Sequence, residues 1–337
     1  MTDFITHNRE SILSQPFKIR QTLSENNFEK AADTLTEFSR VYLAGAGDSY
    51  VVAKFGEYLF LEQDIFAHGF EVSDFNRLNY DDDTLVIGVS ASGRTSQVRK
   101  LIETAQVNGA YTVLLTDNPN SMIADMADEI WLTQCNLNNY DISPSCTTTT
   151  AVAYLLGIVD SISSIEFKEH LLRTIKHWES IMEWINEWSD NLSEELTKRK
   201  FVYLIGESYG YLVAQLGSMK LHEFSVCRGF ALHSDEMMHH AKLIMAPNNL
   251  AIGVRYQRVE ERKDWLSNTM DGLRKVLNID LHVLGPIPYD FHIHPAVESI
   301  WHMIALQMAA FKAGIKLRPD MSGWKKPNVD AFKIYDE

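Results

Sequence analysis

Cysteine is scarce in this chain: Cys135, Cys146 and Cys227 are the only three in 337 residues, and no CxxC pair occurs. Three thiols cannot all pair within one chain, so reduced thiols are expected rather than a disulfide framework. Long apolar runs are missing. None reaches the ~18 uninterrupted residues that suggest a membrane span. The N-terminal MTDFITHNRESILSQPFK is polar and lacks the apolar core of a signal peptide. Positive charge is also short, with 31 Lys and Arg against 45 Asp and Glu, a formal net charge of −14. That balance argues against nonspecific binding to nucleic acid or to an anionic membrane. An anionic metabolite remains admissible if local backbone donors hold it. No GxxxxGK[ST] occurs, GAGDSY lacks the third glycine of GxGxxG, and no HExxH is present. The expectation is a cytoplasmic protein with no cofactor, no nucleic-acid partner and no membrane contact.

The composition is otherwise that of an ordinary globular protein, 45% hydrophobic, over a length that suggests two domains at about 150 residues each. Residues 1–38 read as helical, with Ile12, Leu13, Phe17, Ile19 and Leu23 at mixed three- and four-residue spacing. Val41–Leu43 is a short apolar strand, followed by a glycine-bearing turn and a helical pattern in VVAKFGEYLF. Leu85–Val89 is a continuous apolar run, as in a strand buried on both faces of a parallel sheet. A helix is expected over Gln97–Asn108, stopped by Gly109, with further strands in YTVLLTD and MADEIWLT. The alternation of strand and helix predicts a doubly wound α/β sheet.

Residues 166–199 are rich in Glu, Lys and Trp at helical spacing and read as a bridge between domains. Roughly 160 residues after the first such unit, its theme returns: an apolar strand Phe201–Ile205, a Gly206-Glu207-Ser208 loop, and a helix running to about Ser225. NLAIGVRY and DLHVLGP are two more strands, and VESIWHMIALQMAAFKAG is an apolar helix closed by Gly314. The division expected is residues 1–165, a helical connection 166–198, a second α/β domain 199–315 and a tail 316–337.

Two loops of the first half follow strands and open helices. One is Gly45-Ala46-Gly47-Asp48-Ser49, the other Ser90-Ala91-Ser92-Gly93-Arg94-Thr95. A helix N-terminus offers unpaired N–H groups and partial positive charge, which suits a phosphate without any net positive side-chain charge. A lone serine there is as readily a helix cap; SxSGxT directly after a buried strand favours the anion.

In the second half Lys220 and Glu223 lie three residues apart on one helical face, and Glu236 and His239 share that spacing. A carboxylate, an imidazole and an ammonium are the set that aldose–ketose interconversion needs: a base between C1 and C2, a group to open the ring, and positive charge near an enolate oxygen. The bland alternative for Lys220 and Glu223 is an exposed ion pair. His222, His233, His239 and His240, with Asp235 and Glu236 among them, raise a metal as a rival, but no strict ligand spacing supports one.

SASGRTS resembles the phosphosugar loop of sugar-isomerase (SIS) domains, and GAGDSY resembles their GxGxS loop. SQPFKIRQTL, FEVSDFNR, the K-L-x-E set of Lys220 and Glu223 and the E-x-x-H set of Glu236 and His239 extend the likeness to nearly all of the chain. Over that length the chain resembles the isomerase half of glutamine–fructose-6-phosphate transaminase, without its glutaminase domain. The resemblance implies two tandem SIS domains, each a doubly wound, mainly parallel five-stranded sheet flanked by helices. It implies that Ser49, Ser90, Ser92 and Thr95 hold the sugar phosphate, with Ala91 where the transaminase has glutamine, and with Ser145 of the Ser/Thr-rich SCTTTT segment near the sugar. Glu223 would shuttle the proton and His239 would open the ring, donated across a homodimer. Lys220 would polarise the reacting region and Glu236 would support the histidine. The departures are His240-Ala241 for the family's Gly-Pro, Leu216 for a glutamate, and Lys325 or Lys326 for the C-terminal active-site lysine, either of which reads equally well as a solvated surface residue. The activity implied is a hexosamine 6-phosphate isomerase/deaminase. A plain aldose–ketose 6-phosphate isomerase, a fructosamine-phosphate deglycase and a non-catalytic phosphosugar sensor remain open.

Overall fold

The computed structural model describes residues 2–137, 140–256 and 265–324. The N-terminal helical stretch is three helices: α1 (Asp3–Leu13), α2 (Gln15–Glu25) and α3 (Phe28–Glu37). Pro16 sits in the first turn of α2, where a missing N–H costs nothing. Asn27 caps α3 by accepting the Glu29 N–H at 3.1 Å. Then come β1 (Arg40–Gly45), α4 (Asp48–Leu61), β2 (Ala67–Glu71), β3 (Thr84–Val89), α5 (Ser96–Val107), β4 (Tyr111–Thr116), α6 (Met122–Met126), β5 (Glu129–Leu132), α7 (Cys146–Asp160) and α8 (Phe167–Lys176). The remainder is α9 (Trp178–Leu196), β6 (Phe201–Gly206), α10 (Tyr209–Glu223), β7 (Arg228–His233), α11 (Ser234–His239), β8 (Leu250–Val254), α12 (Trp265–Leu277), β9 (Asp280–Leu284) and α13 (Pro295–Leu317).

Two compact units emerge. The first comprises residues 13–176; the second comprises residues 2–12 with 177–324, so that α1 groups with the second. In the first unit a five-stranded sheet has the order β2-β1-β3-β4-β5, with every pair parallel. Each residue of β3 is buried, which is why its sequence is continuously apolar rather than alternating. Burial of Val86, Leu101, Ile102 and Leu114 in one cluster with Phe70 and Phe75 seals one face, at about 1.5–3 kcal/mol for each large side chain. Helix α7 is buried from Cys146 through Val159, with four threonines, Thr147–Thr150, in its first turns and an apolar run from Ala151 onward.

The second sheet has the order β7-β6-β8-β9, again all parallel. Among the described residues it has four strands, not the expected five. After β9 the chain runs through Gly285-Pro286-Ile287-Pro288 into Pro295 at the start of α13. Prolines carry no N–H for a ladder, so this stretch turns away from the sheet edge. Gly314 does not end α13, which continues to Leu317; it is the point where the helix closes on Phe224. Gly109, by contrast, takes φ 91° just past α5, as a helix stop should.

Candidate functional site

The first unit places a cavity of about 200 Å³ outside the carboxyl ends of β1, β3 and β4. Strands β1 and β3 are neighbours whose onward connections lead to opposite sides of the sheet, which is where open α/β sheets leave a crevice. Ser49, Ser90, Ala91, Ser92 and Thr95 all line the cavity. The Ser90 and Thr95 hydroxyls lie 3.0 Å apart, and the Ser92 hydroxyl accepts the Arg94 N–H at 3.3 Å. The loop is held from behind. Thr116 donates its hydroxyl to the Ala91 carbonyl at 3.1 Å, and Asn118 donates its side-chain amide to the Ser92 carbonyl at 3.0 Å. Gly93 takes φ 62°, and a Cβ there would sit 2.0 Å from the Ser121 hydroxyl oxygen, so only glycine lets the turn close. The turn delivers Thr95 to the N-cap of α5, and the first-turn N–H groups of a helix are of the kind that suits an anion.

Ser145 is not among the residues lining the cavity. It is 1% exposed and immediately precedes α7, while Thr147 and Thr148, within the first turn of that helix, reach the cavity wall. The SCTTTT segment therefore contributes, through its first and second threonines.

Two carboxylates also line this cavity, and neither was singled out from sequence: Asp48 and Asp117. Asp48 is the first residue of α4, is 6% exposed, and accepts the Thr148 hydroxyl at 3.2 Å. Asp117 comes directly after β4 and is 4% exposed. It accepts the Asn136 N–H at 2.9 Å, the Leu137 N–H at 3.0 Å, and the Tyr140 and Thr133 hydroxyls at 3.2 Å each. Burial raises its carboxyl above the usual range even against these four donors. Burial, followed by the nearby Asp117, also raises the Tyr140 phenol. Asp117 thus fixes the segment after β5 that walls the cavity. The sequence signal was a carboxylate at the carboxyl end of a predicted parallel strand.

In the second unit Lys220 and Glu223 pair across one turn of α10, Nζ to Oε2 at 2.9 Å. This is not an exposed helix pair, because the Lys220 side chain is 0% exposed and Glu223 25%. Leu216, on the same helix, is buried. His239 and Glu236 lie on the short helix α11 and are both exposed. Glu236 does not meet His239; its Oε2 lies 2.6 Å from Nε2 of His240, one residue on. The reason is helical spacing, since the four-residue step to His240 brings the side chains of i and i+4 together. His222 accepts the Gly229 N–H through Nε2 at 2.9 Å, which ties α10 to β7. Burial lowers its pKa, and that of His233, which stacks on Tyr211 with ring centroids 3.6 Å apart. Lys325 and Lys326 lie outside the described residues. None of the three cysteines forms a disulfide; Cys135 Sγ lies 2.8 Å from Cys146 Sγ. Among the described residues, no group of three or more His, Cys, Asp or Glu is disposed to hold a metal ion, and no helix is long and apolar enough to cross a membrane.

Comparison with known proteins places this geometry. Over 304 residues the chain is 23% identical to a glutamine–fructose-6-phosphate aminotransferase (isomerizing) of Clostridium tetani, covering 82% of this chain and 48% of that protein. The chain spans about half the length of the curated relatives it matches. Its fold is shared with a glucosamine-6-phosphate deaminase of Thermotoga maritima, at a TM-score of 0.74 and 15% identity over 92% of this chain and 95% of that one. It is equally shared with a tagatose-6-phosphate ketose/aldose isomerase of Escherichia coli, at a TM-score of 0.72 and 16% identity over 92% and 94%. Residues 34–158, the segment that supplies both cavity loops, match the SIS domain.

Proposed function

We propose that the chain is a phosphosugar isomerase/deaminase acting on a hexosamine 6-phosphate. The observation that carries this reading is the cavity lined by Ser49, Ser90, Ser92 and Thr95 at the start of α5, inside the segment that matches the SIS domain. Hydroxyls and free helix N–H groups suit a phosphate, and the absence of a cationic side chain among the described lining residues leaves it to those donors.

The reaction proposed rests on the other residue set. Glu223 takes the proton from C2 of the ring-opened aldose, leaving an enolamine, and returns it to C1. The ketimine so formed takes up water and releases ammonia, giving the ketose phosphate. Lys220, buried and paired with Glu223, holds the carboxylate in place and supplies positive charge near the developing oxyanion. His239 opens the ring, and we assign it to the site of a second copy of the chain. Its exposed position supports that assignment, as do Leu243 and Ile244 just beyond α11, 76% and 75% exposed. Three cysteines without a disulfide fit a reducing, cytoplasmic setting.

The test is incubation with a panel of 6-phosphosugars, with ammonia and ketose measured separately. Glucosamine 6-phosphate is expected to give the two in equal amounts. Ketose from an unaminated aldose phosphate, without ammonia from any substrate, would replace deaminase with isomerase. Glu223→Gln is expected to cut turnover about 10²–10⁴-fold while phosphosugar still binds; binding without any turnover in the parent protein would make it a sensor instead.

A further inference from the structure

The two cavity loops differ in one respect that bears on which sugar enters. The loop after β3 lines the cavity with Ser90, Ala91, Ser92 and Thr95, while its Arg94 is exposed and lies over the Tyr140 ring, 5.6 Å from the centroid. The loop after β1 presents a carboxylate, Asp48, at the position where α4 begins. The N-terminal charge of α4 is therefore already matched by the chain's own anion, whereas that of α5 is left to a ligand. The two loops are not equivalent phosphate grips: the anion belongs at Ser90–Thr95, and the Asp48 side faces the rest of the substrate.

Asp117 adds a second negative group to the wall, held by Thr133, Asn136, Leu137 and Tyr140. Asp48 receives the Thr148 hydroxyl at 3.2 Å on Oδ2, and its residue lines the cavity in which the sugar would lie. No lysine, arginine or histidine is among the described lining residues. A substrate carrying a second anion would meet two carboxylates with no cation among the described lining residues. A substrate carrying an ammonium would meet a partner of opposite sign.

We propose that Asp48 is the specificity-determining residue of this cavity: it selects phosphosugars bearing a protonated amine and rejects those bearing a second anionic group. This rests on the phosphosugar reading above, and the experiment separates the two. Affinities are measured by titration calorimetry for glucosamine 6-phosphate, fructose 6-phosphate, 6-phosphogluconate and fructose 1,6-bisphosphate, on the parent protein and on Asp48→Asn. For the parent, the amine is expected to bind about 10-fold tighter than fructose 6-phosphate, and the two ligands with a second anionic group about 30-fold weaker. In Asp48→Asn both ratios are expected to fall to within about threefold. The parent-protein panel stands even if the variant fails to fold. Binding of fructose 6-phosphate with the acidic ligands equally tight, or with ratios unchanged by Asp48→Asn, overturns the role of Asp48 alone. No binding by any phosphosugar overturns the phosphosugar reading and this assignment with it.

Discussion

The two α/β units repeat one strand–loop–helix template and use it differently. Strands β1 and β6 stand at corresponding places in their sheets, β2-β1-β3-β4 against β7-β6-β8-β9. Gly47 and Ser208, the residues before α4 and α10, share a backbone conformation, φ 55°, ψ −125° and φ 51°, ψ −126°. Beyond these turns the two units diverge. In the first unit small and hydroxyl-bearing residues leave a cavity at the strand ends. In the second the same region carries Tyr209, buried at the start of α10, and Tyr256 just after β8, whose hydroxyl lies 2.6 Å from that of Ser299. Beside Tyr256 lies His302, 0% exposed, with ring centroids 5.2 Å apart. The turns are alike, and the side chains beyond them are not.

Acid probes that contrast at its most costly point. His302 Nε2 lies 3.6 Å from Oε1 of buried Glu298, beyond hydrogen-bond reach, and neither ring nitrogen has a hydrogen-bond partner among the described residues. Burial prevails and pushes the ring pKa down to about 3 from 6.5. The unfolded chain then binds the proton first as pH falls, so stability from this group is intact above pH 6.5 and is lost progressively from 6.5 towards 3. Against His302→Leu, the parent is expected to lose about 1.4 kcal/mol of unfolding free energy per pH unit through that window. Urea titrations at several pH values read this directly, and parallel slopes for parent and variant would show that His302 is not the sensitive group.

A second comparison concerns hydroxyls. Removing the Ser90–Thr95 pair together, as Ser90→Ala with Thr95→Val, leaves neither partner of their mutual contact orphaned. The change is expected to weaken phosphosugar binding about 100-fold, as two donors to a charged group would. Tyr256→Phe in the second unit is expected to leave that affinity unaltered within about twofold. Calorimetry on both variants decides whether the first unit alone grips the anion.

The smallest effect concerns the shared turn. A non-glycine residue at the Ser208 geometry stores strain, so Ser208→Gly is expected to raise stability by about 1 kcal/mol and Gly47→Ser to lower it similarly. Thermal melting of both variants tests whether the two turns carry the same cost.

Much of the fold was visible in residue order. Leu85–Val89 and Phe201–Ile205 are continuous apolar runs, and such runs have few fates besides a strand covered on both faces. Strands β2 and β7 were not visible. AHGFE and RGFALH carry glycine and histidine, have no sustained alternation, and lie at sheet edges, where packing constrains only one side. The hydroxyl loop was legible because Ser90, Ser92 and Thr95 act within six residues. That the Glu236 carboxylate lies against His240 was not legible, because two histidines stand side by side and only the helix decides which of them it meets.

Residue order alone was enough for the alternation of strand and helix, the repeat of that alternation, and the two local devices it carries: a hydroxyl turn and the Lys220–Glu223 pair. These depend on neighbours within a few positions, where periodicity and loop chemistry act. The folded chain was needed to show that residues as far apart as 48, 90, 117 and 148 line one cavity, and that Lys220 is buried rather than solvated. Both come from which strands become neighbours in the sheet, a choice made by long-range packing that no short window of residues records.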